Sequence, residues 1–464
     1  MREDKALKSS PVFLWFGLDL RLHDNPALVA AIHTKRPLVL LYIHDSKNIK
    51  RKEGGASSWW LYNSLQELST RIEEKGGKLH FFAGSAPKIF ARLLTSYPDA
   101  ELFYNQRAGY EDVEQEVGKL LPIHFFSGTT LFALGSIASS QKTAYKIFTP
   151  FYKKVLTREV ATPIKEPVSL NQSLKKVEGS VSLASFCLLE GSWYRKWEGM
   201  WSPGEKGALA QLHHFAQDHA LMYTRQRDIP SAQGTSLLSA SLHFGEISAG
   251  QLFHKTSSCP AFQRQLVWRE FAHHLLHAFP SFLEHSLKSS YDSLEWEKSA
   301  AFFHAWKKGK TGYPIVDAGM RQLWDTGWMH NRVRMIVGSF LTKDLHMHWK
   351  KGAAWFWDTL IDADLANNIL GWQWISGAGT DPSPFRVFNP TLQGKRFDPE
   401  GEYVRRYVPE LAHLPSRFIH EPHKAPAELL SKAGIILGKT YPYPIVEHEQ
   451  ERKKAILYYR KVKR

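Results

Sequence analysis

The chain has 464 residues, 43% of them hydrophobic and 23% charged, which predicts several folded domains and excludes wholesale disorder. Its two cysteines exclude a disulfide scaffold, and no apolar run approaches the length of about 18 residues that a membrane-spanning helix needs. A net charge of +15 favours a polyanionic partner, nucleic acid before an anionic membrane surface. The charged N-terminus lacks the apolar stretch of a signal peptide, so we expect a cytoplasmic protein.

The first part of the chain alternates short apolar runs with amphipathic segments. Buried strands are predicted at Val12–Phe16, Leu38–Ile43, Lys78–Phe82, Leu102–Tyr104 and Ile123–Phe126. Helical spacing is found at Pro26–His33, Trp59–Glu74, Pro87–Ser96 and Asp112–Leu120. This alternation is typical of βαβ units, so residues 1–135 are predicted to form an α/β domain with a doubly wound parallel sheet.

The rest of the chain is predicted to contain a linker and a helical domain. Residues 136–200 are less periodic and are interpreted as a long interdomain connection. From residue 201 to 464 the strand signals fade, and helical spacing dominates a region that holds most of the 16 tryptophans. The predicted helices are 208–217, 263–278, 299–308, 317–326, 331–346 and 353–360.

Four segments of this second half carry groups suited to binding or chemistry. Gly234-Thr235-Ser236 offers backbone N–H groups and hydroxyls to a phosphate, although a plain helix cap explains it equally well. Trp268 and Arg269 present an aromatic face beside a forked cation, a pair that binds unstacked bases, or else they are a core indole beside a surface ion pair.

The other two segments lie further along the chain. Asn331, Arg334 and Met335 fall near one helical face, an unusual mixture for a core, and a partly exposed helix is the alternative. Asp362 and Asp364 are two residues apart, which suggests metal or acid–base work or simple loop capping. No zinc or calcium ligand set accompanies them, so no metal site is predicted.

Together these segments resemble the photolyase/cryptochrome family. The resemblance extends over further ordered motifs, which are Leu14–Pro26, Phe148–Phe151, Tyr223–Asp228, Gly309–Ala318 and Phe385–Pro390. It implies an α/β antenna domain followed by an all-α FAD-binding domain. The family pattern implies contacts with FAD phosphates for Tyr223, Thr235, Ser236, Leu238 and Ser239. It places Asp362 and Asp364 beside the flavin and its ribityl chain, Arg334 against Asp362, and Asn368 at the flavin N5. The remaining implied FAD contacts are Leu237, Phe262, Arg269 and Ala363.

The resemblance also implies roles in electron transfer and DNA binding. Electrons would reach the flavin through Trp372, then Trp349, then a surface-exposed Trp296. The substrate pocket implied by the resemblance comprises the aromatic walls Trp268 and Trp374, the lesion contacts Gln265, Asn331 and Met335, and the backbone contacts Arg227 and Arg332. Light-excited reduced FAD would donate an electron to a flipped-out cyclobutane pyrimidine dimer in UV-damaged DNA, which would split.

Two residues bear on the choice of lesion. Photolyases for (6-4) photoproducts carry a histidine general acid where this chain has Met335, and a thioether cannot donate that proton, so the cyclobutane dimer is favoured. Gln265 stands where cyclobutane-dimer enzymes usually have Glu and where (6-4) enzymes often have Gln. The alternatives are therefore a (6-4) photolyase, a cryptochrome photoreceptor that repairs nothing, or a light-independent DNA-binding protein. We expect a monomer, and the sequence leaves open whether the first domain holds an antenna chromophore (a folate, a deazaflavin or a second flavin) or none.

Overall fold

A computed structural model describes residues 10–45, 52–380 and 386–462. The charged N-terminus, Phe385 of the Phe385–Pro390 motif, and the last two residues, Lys463 and Arg464, lie outside these ranges. None of the helices in the described ranges combines the length and the apolar character that crossing a lipid bilayer requires. The chain divides into two compact units, residues 1–220 with 236–280 and residues 221–235 with 281–464. The division at residues 135 and 200 stays a prediction.

The first unit contains one five-stranded parallel sheet, as predicted. Its strands are β1 (Val12–Phe16), β2 (Leu38–His44), β3 (Leu79–Ala83), β4 (Glu101–Asn105) and β5 (Ile123–Phe126). They lie side by side in the order β3-β2-β1-β4-β5. β1 is buried along its whole length, because helices cover both faces of a parallel sheet, and this explains its continuous apolar sequence.

Helices connect these strands. They are α1 (Pro26–His33), α2 (Gly55–Glu74), α3 (Ala86–Ser96) and α4 (Glu111–Gly118). α1 begins where the Asn25 side chain accepts a hydrogen bond from the backbone of Leu28, with Pro26 in the first turn. Buried Asn105, at the end of β4, donates to Asp19 and Asn25 over 2.6 and 2.8 Å. This polar network fixes the loop after β1 to the carboxyl end of β4.

The predicted linker contains a helix that the sequence interpretation did not anticipate, α5 (Phe148–Val155). Phe148, Phe151 and Val155 are its buried residues, and both phenyl rings lie against Phe271, at 5.9 and 5.2 Å. Pro150, Tyr152, Lys153 and Lys154 interrupt the apolar residues of this segment. The sequence pattern alone therefore does not predict a buried helix here.

The remaining helices lie in both units. In chain order they are α6 (Glu205–His214), α7 (Tyr223–Gln226), α8 (Ser239–His243), α9 (Ala249–Lys255), α10 (Pro260–Ala278), α11 (Ala300–Lys307), α12 (Pro314–Thr326), α13 (Asn331–Ser339), α14 (Trp349–Thr359), α15 (Leu365–Ser376), α16 (Pro390–Phe397), α17 (Glu402–Tyr407), α18 (Ala427–Lys432) and α19 (His448–Val462). α6 and α13 each continue into a π-helical turn, at Phe215–His219 and Phe340–Asp344. The second unit is helical, and the predicted fold class is confirmed.

Candidate functional site

Helix α13 of the second unit carries four of the predicted site residues. Asn331 is exposed and its amide nitrogen lies 3.9 Å from the sulfur of half-buried Met335, one turn along. The predicted sharing of one helical face by these two side chains is therefore present. Arg334, the third residue of the predicted face, bonds to buried Asp362, and Arg332 bonds to Asp228.

Arg334 forms a forked pair with Asp362. Its Nη1 and Nη2 atoms donate to Oδ1 and Oδ2 of that carboxylate over 3.1 and 2.8 Å, and its Nε donates to the Met329 carbonyl over 2.7 Å. Asp362 is buried, whereas Arg334 keeps a quarter of its side chain exposed. Two parallel charged hydrogen bonds hold the carboxylate in one orientation, which agrees with the pairing implied by the resemblance.

The neighbouring acidic residue has a different role in the structure. Buried Asp364 caps α15, because its Oδ1 accepts from the backbone and the side-chain amide of Asn367 over 2.8 and 2.6 Å. Ala363, between the two acids, is buried, and half-buried Asn368 donates its amide to the Ala353 carbonyl over 3.0 Å. This bond fixes which way the Asn368 amide points.

Asp228 is a partner that the sequence interpretation missed. Its Oδ1 accepts from Nε and Nη2 of Arg332 over 3.3 and 3.0 Å, and the guanidinium also lies over the Phe397 ring at 4.5 Å. Arg227 covers the ring of buried Tyr223 at 5.3 Å. Both arginines expected at the DNA backbone are therefore oriented by neighbours within the second unit. Thr235, one of the predicted phosphate contacts, also belongs to this unit and is half-buried.

His330 is a second residue to which the sequence analysis assigned no role. It caps α13 by accepting the Arg332 backbone N–H at its Nδ1 over 3.2 Å. Burial lowers the pKa of His330 to about 4, and Arg334 and Arg332 act in the same direction. The neutral ring carries its proton on Nε2, which is buried without a partner in the described part of the chain. An orphaned buried donor on a helix with a fixed guanidinium–carboxylate pair fits a polar ligand such as FAD.

The part of the predicted phosphate segment that belongs to the first unit begins at Ser236 and leads into α8. Leu237 has a φ of 54°, a left-handed backbone that a leucine rarely adopts. The Ser236 carbonyl accepts from Gln211 over 2.9 Å, the Ser236 hydroxyl accepts weakly from the backbone of buried Leu238, and exposed Ser239 begins the helix. Strain of this kind persists only where the surroundings impose it, and it is found at ligand-binding segments.

Helix α10 carries the other predicted residues of the first unit. Trp268 stacks on Phe148 with ring centroids 3.6 Å apart and planes 5° from parallel. Arg269 donates to the carbonyls of Thr129 and Leu242, so it ties a loop and the end of α8 to α10. Half-buried Gln265 lies one turn before Arg269. Buried Phe262 packs on the Phe215 ring at 4.7 Å.

The tryptophans predicted for electron transfer all lie in the second unit. Trp372 and Trp349 are buried, and Trp372 contacts the rings of Phe356 and Trp306 at 5.0 and 6.2 Å. Trp296 is half-buried, so the expectation that it is surface-exposed needs correction. A neighbouring histidine ring covers part of its indole, which the sequence did not reveal.

The predicted second pocket wall, Trp374, is half-buried on α15, and Arg386 lies over its ring at 5.4 Å. A cation over an indole holds the ring orientation and adds positive charge beside an aromatic face. The structure therefore brings an aromatic ring and a guanidinium together at this position of the second unit, the combination that the sequence indicated for Trp268 and Arg269.

Comparison with known proteins gives the chain a family. Residues 12–168 match the family description DNA photolyase, and residues 262–461 match the FAD binding domain of DNA photolyase. A deoxyribodipyrimidine photo-lyase of Agrobacterium fabrum is 41% identical over 99% of both chains. A cryptochrome of Arabidopsis thaliana is 34% identical over 95% of this chain and 77% of its own length.

Solved structures agree. A bacterial class III photolyase from Agrobacterium tumefaciens has a TM-score of 0.93, 41% identity and full coverage of both chains. An archaeal photolyase from Sulfolobus tokodaii, described with two FAD molecules, has a TM-score of 0.83 and 29% identity, over 97% of this chain and 100% of its own. The chain therefore belongs to the photolyase/cryptochrome family, whose helical domain binds FAD.

Proposed function

We propose that this chain is a light-dependent DNA repair enzyme that splits cyclobutane pyrimidine dimers. The observation that carries the proposal is the composition of α13. One helix turns Asn331 and Met335 to its outer face, Arg334 to a buried carboxylate and Arg332 to Asp228. Such an arrangement supports a lesion contact and a cofactor contact carried by a single rigid element.

The cofactor would be held by polar side chains that their neighbours orient. Arg334 fixes Asp362, and Asn368 is oriented by the Ala353 carbonyl, so each presents a preset polar group to the flavin. When bound and reduced, FAD supplies a light-driven electron to the lesion and receives it back. Hydroxyls of Tyr223, Thr235, Ser236 and Ser239 would take the phosphates.

The lesion would be received by aromatic and apolar side chains. A dimer pairs and stacks poorly, so swinging it out of the duplex costs less than flipping an ordinary base. Trp268 and Trp374 would stack against it, and Asn331 and Met335 would touch it. The thioether of Met335 has no proton to donate, which supports the cyclobutane dimer over the (6-4) photoproduct. The basic chain would add sequence-independent, salt-sensitive affinity.

Three tryptophans would restore the reduced cofactor. Trp372 and Trp349 are shielded from solvent and Trp296 is partly accessible, an order of burial that supports electron flow from the surface inward. Replacement of Trp372 by Phe should abolish photoreduction and leave repair by chemically reduced enzyme intact. Surviving photoreduction would contradict this route.

The test is repair by chemically reduced enzyme under blue light. Duplexes with one cyclobutane dimer and duplexes with one (6-4) photoproduct are illuminated separately, and loss of each lesion is followed by chromatography. We expect loss of the dimer alone. Trp268→Ala should weaken dimer binding, because base–aromatic stacking contributes about 1–3 kcal/mol, whereas Trp193→Ala, at an exposed indole of the same unit, should not.

Each other outcome selects an alternative. Loss of only the (6-4) photoproduct would identify a (6-4) photolyase, a reading that Gln265 also allows. Persistence of both lesions would favour a cryptochrome photoreceptor, which the similarity to the Arabidopsis cryptochrome supports. A protein purified without flavin absorbance would favour light-independent DNA binding.

We also infer an antenna chromophore in the sheet-containing unit, and a monomeric enzyme. The archaeal relative described with two FAD molecules makes a second flavin one candidate for the antenna. Extracting the pigments and recording their spectra identifies the antenna, and sedimentation of the loaded enzyme with and without DNA measures its association state.

A further inference from the structure

The imidazole of His348 lies between two of the tryptophans assigned to the relay. Its ring centroid is 5.1 Å from that of Trp296 and 5.6 Å from that of Trp349, at interplanar angles of 50° and 39°. Trp349 is buried and Trp296 is half-buried, with its indole Nε1 shielded and without a partner among the described residues. His348 therefore contacts both the inner and the outer indole.

Backbone contacts hold this arrangement. Glu297, next to Trp296, forms a parallel bridge with Met347, next to His348, and donates its N–H to the His346 carbonyl over 2.8 Å. The His348 Nδ1 accepts the Lys350 backbone N–H over 3.1 Å and so caps α14. The bridge sets the distance between the two chain segments, and the cap sets the rotation of the ring.

We propose that His348 is a positioning residue that bridges the outer step of the relay as a neutral ring. In this step one electron passes from Trp296 to the oxidised indole of Trp349, which is restored while Trp296 becomes the oxidised ring. The primary oxidant is the light-excited oxidised flavin, and an external thiol finally reduces Trp296. The imidazole is neither oxidised nor consumed. The inference rests on the relay of the proposed function.

The surroundings keep the bridge neutral. Burial lowers the pKa of His348, Lys350 and Lys351 lower it further, and Asp292 acts in the opposite direction. The capping bond also occupies the Nδ1 lone pair, which a second proton would need. An imidazolium is harder to oxidise than the neutral ring and couples the two indoles less well, so protonation should slow the transfer. We expect this slowing only below about pH 6.5, the ordinary pKa of a histidine side chain.

Two variants separate the ring from the cap. His348→Asn keeps a capping acceptor and removes the ring, and His348→Phe keeps an uncharged ring and removes the acceptor. The control is His413→Asn, at an exposed histidine of the same unit. Transient absorption of FAD-loaded protein measures how fast the oxidised outer tryptophan forms, and NMR titration of the His348 imidazole measures its protonation without illumination.

We expect His348→Asn to slow the outer step by at least about tenfold, the effect of a barrier higher by about 1.4 kcal/mol. His348→Phe should retain the wild-type rate at neutral pH and lose the slowing in acid, and His413→Asn should match wild type at every pH. Equal rates in His348→Asn and wild type, or the same acid slowing in His348→Phe, would overturn the inference.

The proposed function is tested independently in the same preparations. Chemically reduced enzyme repairs the dimer without the relay, so His348→Asn should repair at the wild-type rate. Absence of repair in wild type with intact photoreduction contradicts the proposed function alone. Intact repair with an unaffected outer step in His348→Asn contradicts the His348 bridge alone.

Discussion

Arg334 and Asp362 meet as a forked ion pair, with both guanidinium Nη atoms bonded to the two oxygens of one buried carboxylate. The second unit contains a closely similar pair, Arg321 with Glu410, at 2.9 and 2.7 Å, and there too the arginine Nε donates to a backbone carbonyl, that of Gly309. The two pairs share geometry but differ in proposed role, which makes one a control for the other.

Arg334→Lys should weaken FAD binding. A lysine offers one point charge and cannot hold both carboxylate oxygens. Loss of a hydrogen bond to a charged group costs about 1.5–3 kcal/mol, or roughly ten- to hundredfold in affinity. Fluorescence titration of apoprotein with FAD measures the change. Arg321→Lys should lower thermal stability and leave FAD affinity unchanged; equal losses of affinity in both variants would show a general structural effect.

Gly352→Ala should disturb Trp372. A Cβ at this glycine would lie 2.1 Å from the indole Cη2, far inside contact distance. Such overpacking typically costs about 1–3 kcal/mol, and the displaced ring should slow photoreduction. Gly371→Ala, on the neighbouring helix α15 with open space around its Cβ, should stabilise the protein by about 0.5–1 kcal/mol. Calorimetry and flavin photoreduction give the two readouts, and wild-type behaviour of Gly352→Ala would disprove the tight contact.

Asp228→Asn should make DNA binding more sensitive to salt. The substitution removes the carboxylate that pairs with Arg332 and leaves the guanidinium charge for a phosphate. Each further phosphate contact steepens the plot of log affinity against log salt by about one unit. Asp325→Asn, at an exposed aspartate of α12, changes the net charge equally and should leave the slope unaltered. An unchanged slope in Asp228→Asn would exclude Arg332 from the interface.

Gln265→Glu should tighten binding of the cyclobutane dimer. A carboxylate accepts more strongly than an amide from a thymine N3–H, and hydrogen bonds to charged groups contribute about 1.5–3 kcal/mol. Equilibrium binding to dimer-containing duplex should improve by about tenfold. Gln263→Glu, on the same helix with its amide bonded to the Phe253 carbonyl, provides the control. No gain, or an equal gain in both variants, would remove Gln265 from the lesion contact.

Glu114 should make stability fall as pH rises. Burial raises the pKa of Glu114 to about 7 from 4.5, although Arg107 lies 3.1 Å away and opposes the shift. The folded chain binds the proton of the Glu114 carboxyl more tightly than the unfolded chain does. The free energy of unfolding therefore falls as the pH rises from 4.5 to about 7. The slope is at most about 1.4 kcal/mol per pH unit. Denaturant unfolding across this window should show the slope in wild type and in Glu116→Gln and lose it in Glu114→Gln.

Much of the architecture follows from local patterns. Parallel strands buried on both faces require continuous apolar runs, and this is why β1 and its neighbours were predicted within a residue or two. The Asn331 and Met335 contact follows from helical spacing alone. Such features depend on residues a few positions apart, so periodicity is sufficient to find them.

The differences arise where distant segments meet. Phe148 covers Trp268, Asp228 pairs with Arg332, and His348 shields part of Trp296, and each contact joins residues that no spacing rule connects. Trp296 is less exposed than expected for this reason. These residues can be read from the sequence, but the contacts between them depend on tertiary packing, which the local sequence pattern does not reveal.

The phenyl ring of Phe148 covers one face of Trp268, so under the proposed function a nucleobase would stack on the opposite face. The orientation of the Trp268 indole depends on α5, a short helix that is far from this tryptophan along the chain. Small changes in the chain segment before α5 would rotate the Trp268 indole and leave the other proposed site residues in place. Under the proposed function, such changes would alter lesion preference without altering any residue proposed to touch the damaged bases.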